Sequence, residues 1–398
     1  MTLGALMVPV AITACSLVTA LGGGTAANWA ALARGQCGLR PCDLAGVGLA
    51  TWIGRVAGLE QVRLPAELLD FDCRNNRLAL LGLDTDELAQ RVAAARSRYG
   101  ADRIGVFLGT STSGMSAAEQ AYAARDPVND RLPEDFRYAT TQNLDSLTAF
   151  CRRFLGLRGP SFTLSTACSS SAKVFAAAAR MLALGLCDAA LVGGVDSLCL
   201  TTLYGFASLE LLAPGPCAPW DAHRQGISIS EAAGFALLER EGAEFALLGY
   251  GESADAHHMS TPHPEGTGAA LAMRRALARA GLDAGAIDYV NLHGTGTRLN
   301  DCSEDRAMLQ VFSRPVAASS TKGWTGHTLG ACGAVEALVT LLALRRSWLP
   351  PCRFVTGPDP ALATPVLTAG RTQRVSYAMS NSFGFGGNNC SLIFGRTP

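Results

Sequence analysis

Two stretches of this chain, Ser169–Leu184 and Gly330–Arg345, read as helices with almost no charge on any face. A helix that is apolar all round has to be buried on every side. Two of them stand about 160 residues apart, each after a loop of small residues: Ser165-Thr166-Ala167-Cys168 and Gly326-His327-Thr328-Leu329-Gly330. Such a pair hints at two related halves. The boundary falls near Arg240, with an N-terminal half over 1–240 and a C-terminal half over 241–398. Elsewhere short β-branched or apolar runs alternate with Ala/Leu-rich stretches, the pattern of an α/β protein with buried sheets. Strands are expected at Val8–Thr13, Arg103–Gly109, Ala189–Gly193, Gly234–Leu238, Phe245–Tyr250, Ile287–Leu292, Val375–Ser380 and Cys390–Phe394. Further helices are expected at Ala26–Ala33, Thr85–Tyr99, Leu144–Phe154, Thr267–Ala280 and Ser303–Phe312. No Pro- or Ser-rich linker separates the halves, so they should pack as one body.

Composition removes several function classes. The chain balances 33 basic against 33 acidic residues, which argues against a nucleic-acid binder working by mass electrostatics. Met1 to Gly22 is largely apolar, so a secretory signal or membrane span has to be weighed. No basic segment precedes it, Pro9 interrupts it and Gly22-Gly23-Gly24 closes it, which favours a buried strand and turn. Nothing else approaches membrane length, and no membrane partner is expected. Thirteen cysteines without a CxxC pair or a Cys/His zinc spacing suit buried thiols in a reducing cytoplasm. Of the basic residues 31 are Arg; the two Lys, Lys173 and Lys322, hint at a need for a compact ammonium.

Cys168 stands out because it follows an expected strand and starts a helix. There a thiol meets free backbone N–H groups and the positive end of the helix dipole, both of which favour thiolate. The alternative is a buried structural Cys, the natural reading of the other twelve. His293 lies in Asn291-Leu292-His293-Gly294-Thr295-Gly296-Thr297, where a strand ends in a Gly/Thr loop. His327 follows Lys322 by five residues. Singly each His reads as a hydrogen-bonded core residue; with Cys168 and Lys322 they form a constellation spread along the chain, as catalytic sets are. Asn381-Ser382-Phe383-Gly384-Phe385-Gly386-Gly387-Asn388 reads as a Gly-rich turn between strands whose N–H groups could face a substrate oxygen. Lys173 suits a polar contact better than catalysis. Asp255, His257, His258 and His263 have metal-ligand composition, but no HExxH or i, i+4 His pair supports a metal.

In order, these segments resemble the β-ketoacyl-acyl-carrier-protein synthases, condensing enzymes of fatty-acid and polyketide assembly. The resemblance rests on Val10-Ala11-Ile12-Thr13, Ala27-Asn28-Trp29, Thr166-Ala167-Cys168-Ser169-Ser170, Pro219-Trp220-Asp221, His293-Gly294-Thr295-Gly296-Thr297, Lys322, Gly326-His327-Thr328-Leu329-Gly330-Ala331 and Asn381 to Asn388. It implies the thiolase-like fold, two αβα halves forming a five-layered αβαβα sandwich, with a dimer as the usual assembly. By residue it implies Cys168 as acyl-accepting nucleophile and His293 and His327 as the pair binding the malonyl thioester carbonyl. Lys322 and Glu336 match a catalytic Lys and an acidic residue on the following helix, and Asp301 and Glu304 match supporting acids. Phe385 matches an aromatic gate whose N–H joins that of Cys168 in an oxyanion hole. Thr295, Thr297, Phe206 and Phe383 match substrate-contacting positions.

The implied reaction is a decarboxylative Claisen condensation of malonyl-carrier protein with an acyl group on Cys168, with no metal or organic cofactor. The implied partner is acyl carrier protein, with a second subunit that is either a copy of this chain or a related synthase-like protein. In a heterodimer with a non-catalytic chain-length partner, this chain would be the catalytic half, since Cys168, His293 and His327 are all present. A thiolase-type acyltransferase fits less well, because no Cys lies in the C-terminal Gly-rich loop. Some positions depart from the family. Ser230-Glu231-Ala232-Ala233-Gly234 replaces a Gly-Glu-Gly-Ala-Gly run, Gln225 stands in an Arg-Asp-Gly run, and Glu210 stands where relatives present a basic residue to carrier protein. Gly296 and Arg298 resemble polyketide rather than housekeeping fatty-acid enzymes.

Overall fold

The computed structural model describes residues 6–397. Ten strands form two five-stranded sheets that join through the Val10–Thr19 and Phe245–Ala254 strands into one continuous ladder, to which Gly22–Gly23 adds a short hairpin strand. In the first the spatial order is Ser161–Leu164, Ile104–Gly109, Ala189–Asp196, Ala232–Glu239, Val10–Thr19. In the second it is Ala317–Ser319, Tyr289–Asn291, Tyr377–Gly384, Asn388–Arg396, Phe245–Ala254. Numbered along the chain within each sheet, both orders are 3-2-4-5-1. The sheets meet where Val10 and Ala11 pair with Leu247 and Ala246. The halves suggested by the twin apolar helices therefore share one topology.

Each sheet is apolar on both faces, as a strand between two helical layers must be. Along Ala189–Asp196, Ala190 and Val192 face the central layer while Ala189 and Leu191 face the outer helices Arg74–Leu83, Leu88–Tyr99 and Ser146–Leu155. The second sheet likewise packs outward on helices Thr267–Ala280 and Arg298–Val311. Between the sheets lie the helices Ser170–Ala183 and Cys332–Arg346. The latter is buried from Cys332 to Leu344, which makes its near absence of charge a physical requirement. At their crossing a Cβ on Gly333 would fall 2.5 Å from the Ala172 nitrogen, so only glycine permits the approach. The result is the thiolase-like αβαβα sandwich. The starts of both central helices lie on the same side, beside each other.

Several expected boundaries move. The first strand begins at Val10 and runs to Thr19, with Val8 exposed; Met1–Ala5, the start of the apolar run, lie outside the described residues. Thr85–Glu87 stay out of the helix that follows because Asp86 and Glu87 adopt left-handed backbone, which lets the Asp86 carboxylate accept from the Thr25 N–H at 2.8 Å. The helix expected at Ser303 already begins at Arg298. Asn381–Gly384 are strand rather than turn, leaving only Phe385–Gly387 as the connection. Helices Arg74–Leu83, Met115–Ala123 and Leu200–Ser208 and the strand Ala317–Ser319 were not anticipated, while Ser161–Leu164 is the strand expected before Cys168. The altered run at Ser230 keeps its strand, and Glu231 is buried, accepting from the Val56 and Leu198 N–H groups and from Arg74.

Candidate active site

Beyond strand Ser161–Leu164 the chain turns sharply into the first central helix, and Cys168 sits on that turn. Ala167 takes φ +51°, a strained value for a residue with a Cβ. Local hydrogen bonds hold it: the Ser170 N–H donates to Ala167 O at 3.1 Å and the Thr166 N–H to Ser170 Oγ at 2.9 Å. Gly384, at the end of strand Tyr377–Gly384, presses on the turn from the other half. A Cβ there would stand 2.8 Å from Thr166 O and 3.2 Å from Cys168 N. This contact sets Phe385 beside Cys168, whose thiol is pulled down by the Phe385 N–H and by its own backbone N–H. Burial nonetheless pushes the thiol up to about 11, against the pull of the Lys322 ammonium and the two N–H groups. The thiolate expected from the helix start is thus not the resting form, because desolvation outweighs the favourable dipoles.

Facing Cys168, the His293 and His327 rings lie 5.5 Å apart, nearly perpendicular. Sγ and one nitrogen of each ring fall within 4.8 Å of one another. The remaining nitrogens are spoken for. His327 Nδ1 accepts the Leu329 N–H at 3.1 Å, and Leu329 adopts φ +52° to aim it. His293 Nδ1 lies 3.2 Å from Lys322 Nζ, which also donates to His293 O at 2.5 Å and to Glu336. Each Nδ1 is therefore an acceptor, so each Nε2 carries the proton and points a donor into the site. Burial drives both imidazoles well below their usual range, and the Lys322 charge adds to this. Two neutral N–H donors converge beside one thiol.

Lys322 and Glu336 are both buried. Burial alone would lower the lysine, but the Glu336 carboxylate, with the Cys332 and Cys168 sulfurs, outweighs it and keeps Lys322 charged, while burial lifts Glu336 itself to about 7. Cys168, His293 and His327 resemble a metal triad in composition. The tautomers argue otherwise: metal at Nε2 would require a proton on Nδ1, and both Nδ1 atoms already face donors. The donor set does not fit a metal. Asp255, His257, His258 and His263 form no three-donor group among the described residues. The Asp255 carboxylate instead accepts from the His263 N–H and the Asn389 amide.

Buried carboxylates brace this arrangement. Glu304 accepts the N–H groups of His293 at 2.8 Å and Gly294 at 2.7 Å, and burial raises it to about 7. Asp301 accepts from Trp220 and Gly296 and pairs with buried Arg224 at 3.2 Å. Thr295 and Thr297 hydroxyls meet at 2.9 Å. Asp196, which sequence reasoning missed, closes the frame on the other side. Its carboxylate takes the N–H groups of Ser111, Thr112 and Gly330, tying the first sheet to the loop after His327. The available signal was an acid at the end of an otherwise apolar strand. Leu329 and Gly384 were also missed as site-shaping positions.

A cavity of about 330 Å³ opens over the cluster. Of the sequence-derived residues, Cys168, His293, His327, Thr295, Thr297, Phe206, Phe383 and Phe385 line it, while Lys322, Glu336, Asp301 and Glu304 stand behind it. The Phe206 and Phe385 rings lie 5.6 Å apart, and Phe383 lies 6.0 Å from the His293 ring. Glu210, with φ +57°, reaches the cavity wall and is exposed. Lys173 makes polar contacts only, to Asn388 and Glu252.

Comparison with known proteins bears on this geometry. The β-ketoacyl synthase N-terminal domain profile matches residues 77–243 and the C-terminal domain profile residues 245–356. The 3-oxoacyl-[acyl-carrier-protein] synthase 2 of Vibrio cholerae is 32 % identical, over 97 % of this chain and 99 % of its own. Among solved structures, a chain of the ketosynthase ApeO in complex with its chain length factor ApeC, from Xenorhabdus doucetiae, superposes with TM-score 0.90 at 41 % identity, over 98 % of both chains. A β-ketoacyl synthase from Burkholderia phymatum superposes at 0.88 and 30 % identity, over 98 % of this chain and all of its own. With one fold, one motif order and a shared length, the chain belongs to the β-ketoacyl synthase family.

Proposed function

We propose that this protein is a β-ketoacyl-acyl-carrier-protein synthase that condenses malonyl-carrier protein with an acyl group held on Cys168. The observation that carries this reading is the buried cluster of one thiol and two imidazoles within 4.8 Å of one another, both of whose Nδ1 atoms face donors and so leave the proton on Nε2. In the first half-reaction Cys168 sulfur adds to the acyl thioester, and the oxyanion forms against the Cys168 and Phe385 N–H groups. Collapse expels the carrier thiol, which takes up the proton that sulfur gave. In the second half the malonyl thioester carbonyl sits between His293 and His327. Its C–C bond to the carboxylate breaks, CO2 leaves, and the electron pair flows into an enolate oxygen that both imidazoles donate to. The enolate carbon then attacks the Cys168 thioester, and collapse releases the β-ketoacyl product and the Cys168 thiolate, which takes up a proton from solvent to restore the thiol.

The other residues serve these steps. Lys322, held charged by Glu336, keeps His293 in its donor tautomer. Asp301 and Glu304 hold the His293 loop, and Thr295 and Thr297 offer hydroxyls to the arriving pantetheine arm. Phe385 forms the gate, with Phe206 packed on it as a substrate contact, and Phe383 packs beside His293. We place the division between the halves after Arg240, in the link between strands Ala232–Glu239 and Phe245–Ala254. Thirteen free thiols suit a cytoplasmic location, and no helix of the described residues is long and apolar enough to cross a membrane. Mass spectrometry after incubation with acyl-carrier protein tests the reading. One acyl adduct is expected, absent from Cys168→Ala; an adduct persisting in that variant overturns it.

A heterodimer is the favoured assembly, since a similar chain was solved as a ketosynthase with its chain length factor. This chain, with its complete Cys/His/His set, is then the catalytic half. The terminal strand Ser161–Leu164 is half-exposed along its length and offers an unpaired edge to a partner. Light scattering on the chain purified alone distinguishes the cases: a stable, active homodimer rejects the heterodimer.

A further inference from the structure

Thirteen cysteines are more than a one-thiol reaction needs, and three of the others meet at the turn that carries Lys322. The helix Lys322–Thr325 has only four residues, too few to satisfy its own carbonyls. Within the turn, Gly326 N–H reaches Lys322 O and Trp324 N–H reaches Thr321 O. Outside groups add a second donor to Lys322 O and supply donors to the Gly323 and Trp324 carbonyls. Cys217 Sγ donates to Lys322 O at 3.1 Å, Cys37 Sγ to Gly323 O at 3.7 Å, and the Gly38 N–H to Trp324 O at 3.0 Å. Just upstream Cys352 Sγ accepts the Ser320 N–H at 3.2 Å.

We propose that Cys217, seconded by Cys37, is a positioning residue that caps the Lys322 turn and so sets where the lysine ammonium meets His293. The inference rests on the reading above that Lys322 keeps His293 in its donor tautomer. The segment holding Cys217 continues to Trp220, whose N–H donates to Asp301 on the helix after the His293 loop. One short segment thus grips Lys322 on one side and the His293 loop on the other, and keeps the two in register. Only a protonated thiol can donate. Burial keeps Cys217 up at about 11 and raises Cys37 as well, so both hold their protons in the working range. Neither lines the cavity over Cys168, so neither touches substrate.

The test separates the two half-reactions in the full-length enzyme. Single-turnover acylation of Cys168 by acyl-carrier protein and decarboxylation of malonyl-carrier protein are measured for Cys217→Ala, Cys217→Ser and Cys37→Ala. A lost hydrogen bond of ordinary strength predicts that Cys217→Ala slows decarboxylation about three- to tenfold, with Cys37→Ala losing less. Acylation should stay at the wild-type rate, and Cys217→Ser, which keeps a donor, should recover most of the loss. In a Lys322→Ala background Cys217→Ala should cost nothing further, because its effect passes through the lysine. Equal slowing of both half-reactions, or the same loss with Lys322 absent, means that Cys217 only fills space and overturns the proposal. If Cys217→Ala fails to fold, Cys37→Ala decides: no selective loss of decarboxylation overturns it. A wild-type enzyme that does not decarboxylate malonyl-carrier protein instead refutes the functional reading beneath it.

Discussion

Replacing His327 by Ala should divide the reaction in two. The structure gives the imidazole one donor, Nε2–H, and occupies its other nitrogen with the Leu329 N–H. A ring whose Nδ1 accepts and whose Nε2 already bears hydrogen has no free lone pair for the Cys168 proton. Acylation should therefore survive in His327→Ala, changing by less than about threefold, since the N–H groups of Cys168 and Phe385 remain. Decarboxylation should not survive. Each donor on a developing oxyanion is worth roughly 2.7–4 kcal/mol, so losing one of two slows condensation about a hundred- to a thousandfold. His293→Ala should behave alike. Lys322→Ala should follow the same pattern with some added instability, because it leaves Glu336 buried without its partner. Radiolabelled acyl-carrier protein in single turnover reads the first half, and carbon dioxide release from malonyl-carrier protein reads the second. Loss of acylation in either folded His variant would mean that an imidazole acts as base toward Cys168, and the tautomer argument would fail.

Further expectations are simpler to check. With its thiol near 11, Cys168 in the free enzyme should alkylate with iodoacetamide at a rate that climbs with pH through the alkaline range; a plateau below neutrality would show an activated thiolate instead. Gly384→Ala drives a Cβ against Thr166 O and Cys168 N, so acylation should fall while malonyl binding, measured by calorimetry, holds; an unchanged acylation rate would show that the turn tolerates the contact. Gly333→Ala wedges the central helices at Ala172 and should cost about 1–3 kcal/mol in urea unfolding, and an unmoved midpoint would contradict the close packing. Zinc titration should give no binding step that Cys168→Ala removes, because both imidazoles present hydrogen rather than a lone pair.

The features open to sequence reading were those that long-range physics writes plainly into residue types. A helix buried on most of its faces can carry little charge. Ser170–Ala183, with Lys173 and Arg180 alone, and Cys332–Arg346, with Glu336 alone before its last turn, thus pointed to buried helices and the doubling of the fold. Long, apolar strands such as Ala189–Asp196 declared themselves too. Ala317–Ser319 did not, since three small residues carry no β signature and the strand exists because its neighbour Tyr289–Asn291 receives it. The first strand was misplaced for a related reason. Its pairing with Ala232–Glu239 continues through Ser16 to Val18, a stretch whose mixed composition hides the ladder.

The site divides along a different line. Cys168, His293, His327 and Lys322 were identifiable because the proposed chemistry demands those residue types, and the fold gathers them from both halves. What each does depends on atoms that composition cannot name. The donor tautomer of His327 comes from a backbone N–H, and that N–H points correctly only because Leu329 accepts a left-handed φ. The Leu329 loop is held in turn by Asp196, through the Gly330 N–H, from a strand of the first sheet. Position Cys168 by its own helix alone and a low-pKa thiolate follows; add the burial that both halves impose and the resting thiol follows instead. The difference matters for mechanism, because a buried thiol exchanges acyl groups only where oxyanion donors are already in place, and Gly384 is what brings the second of them, Phe385, to the sulfur. On the proposed mechanism, catalytic competence is thus a property of the contact between halves, not of the Cys168 helix.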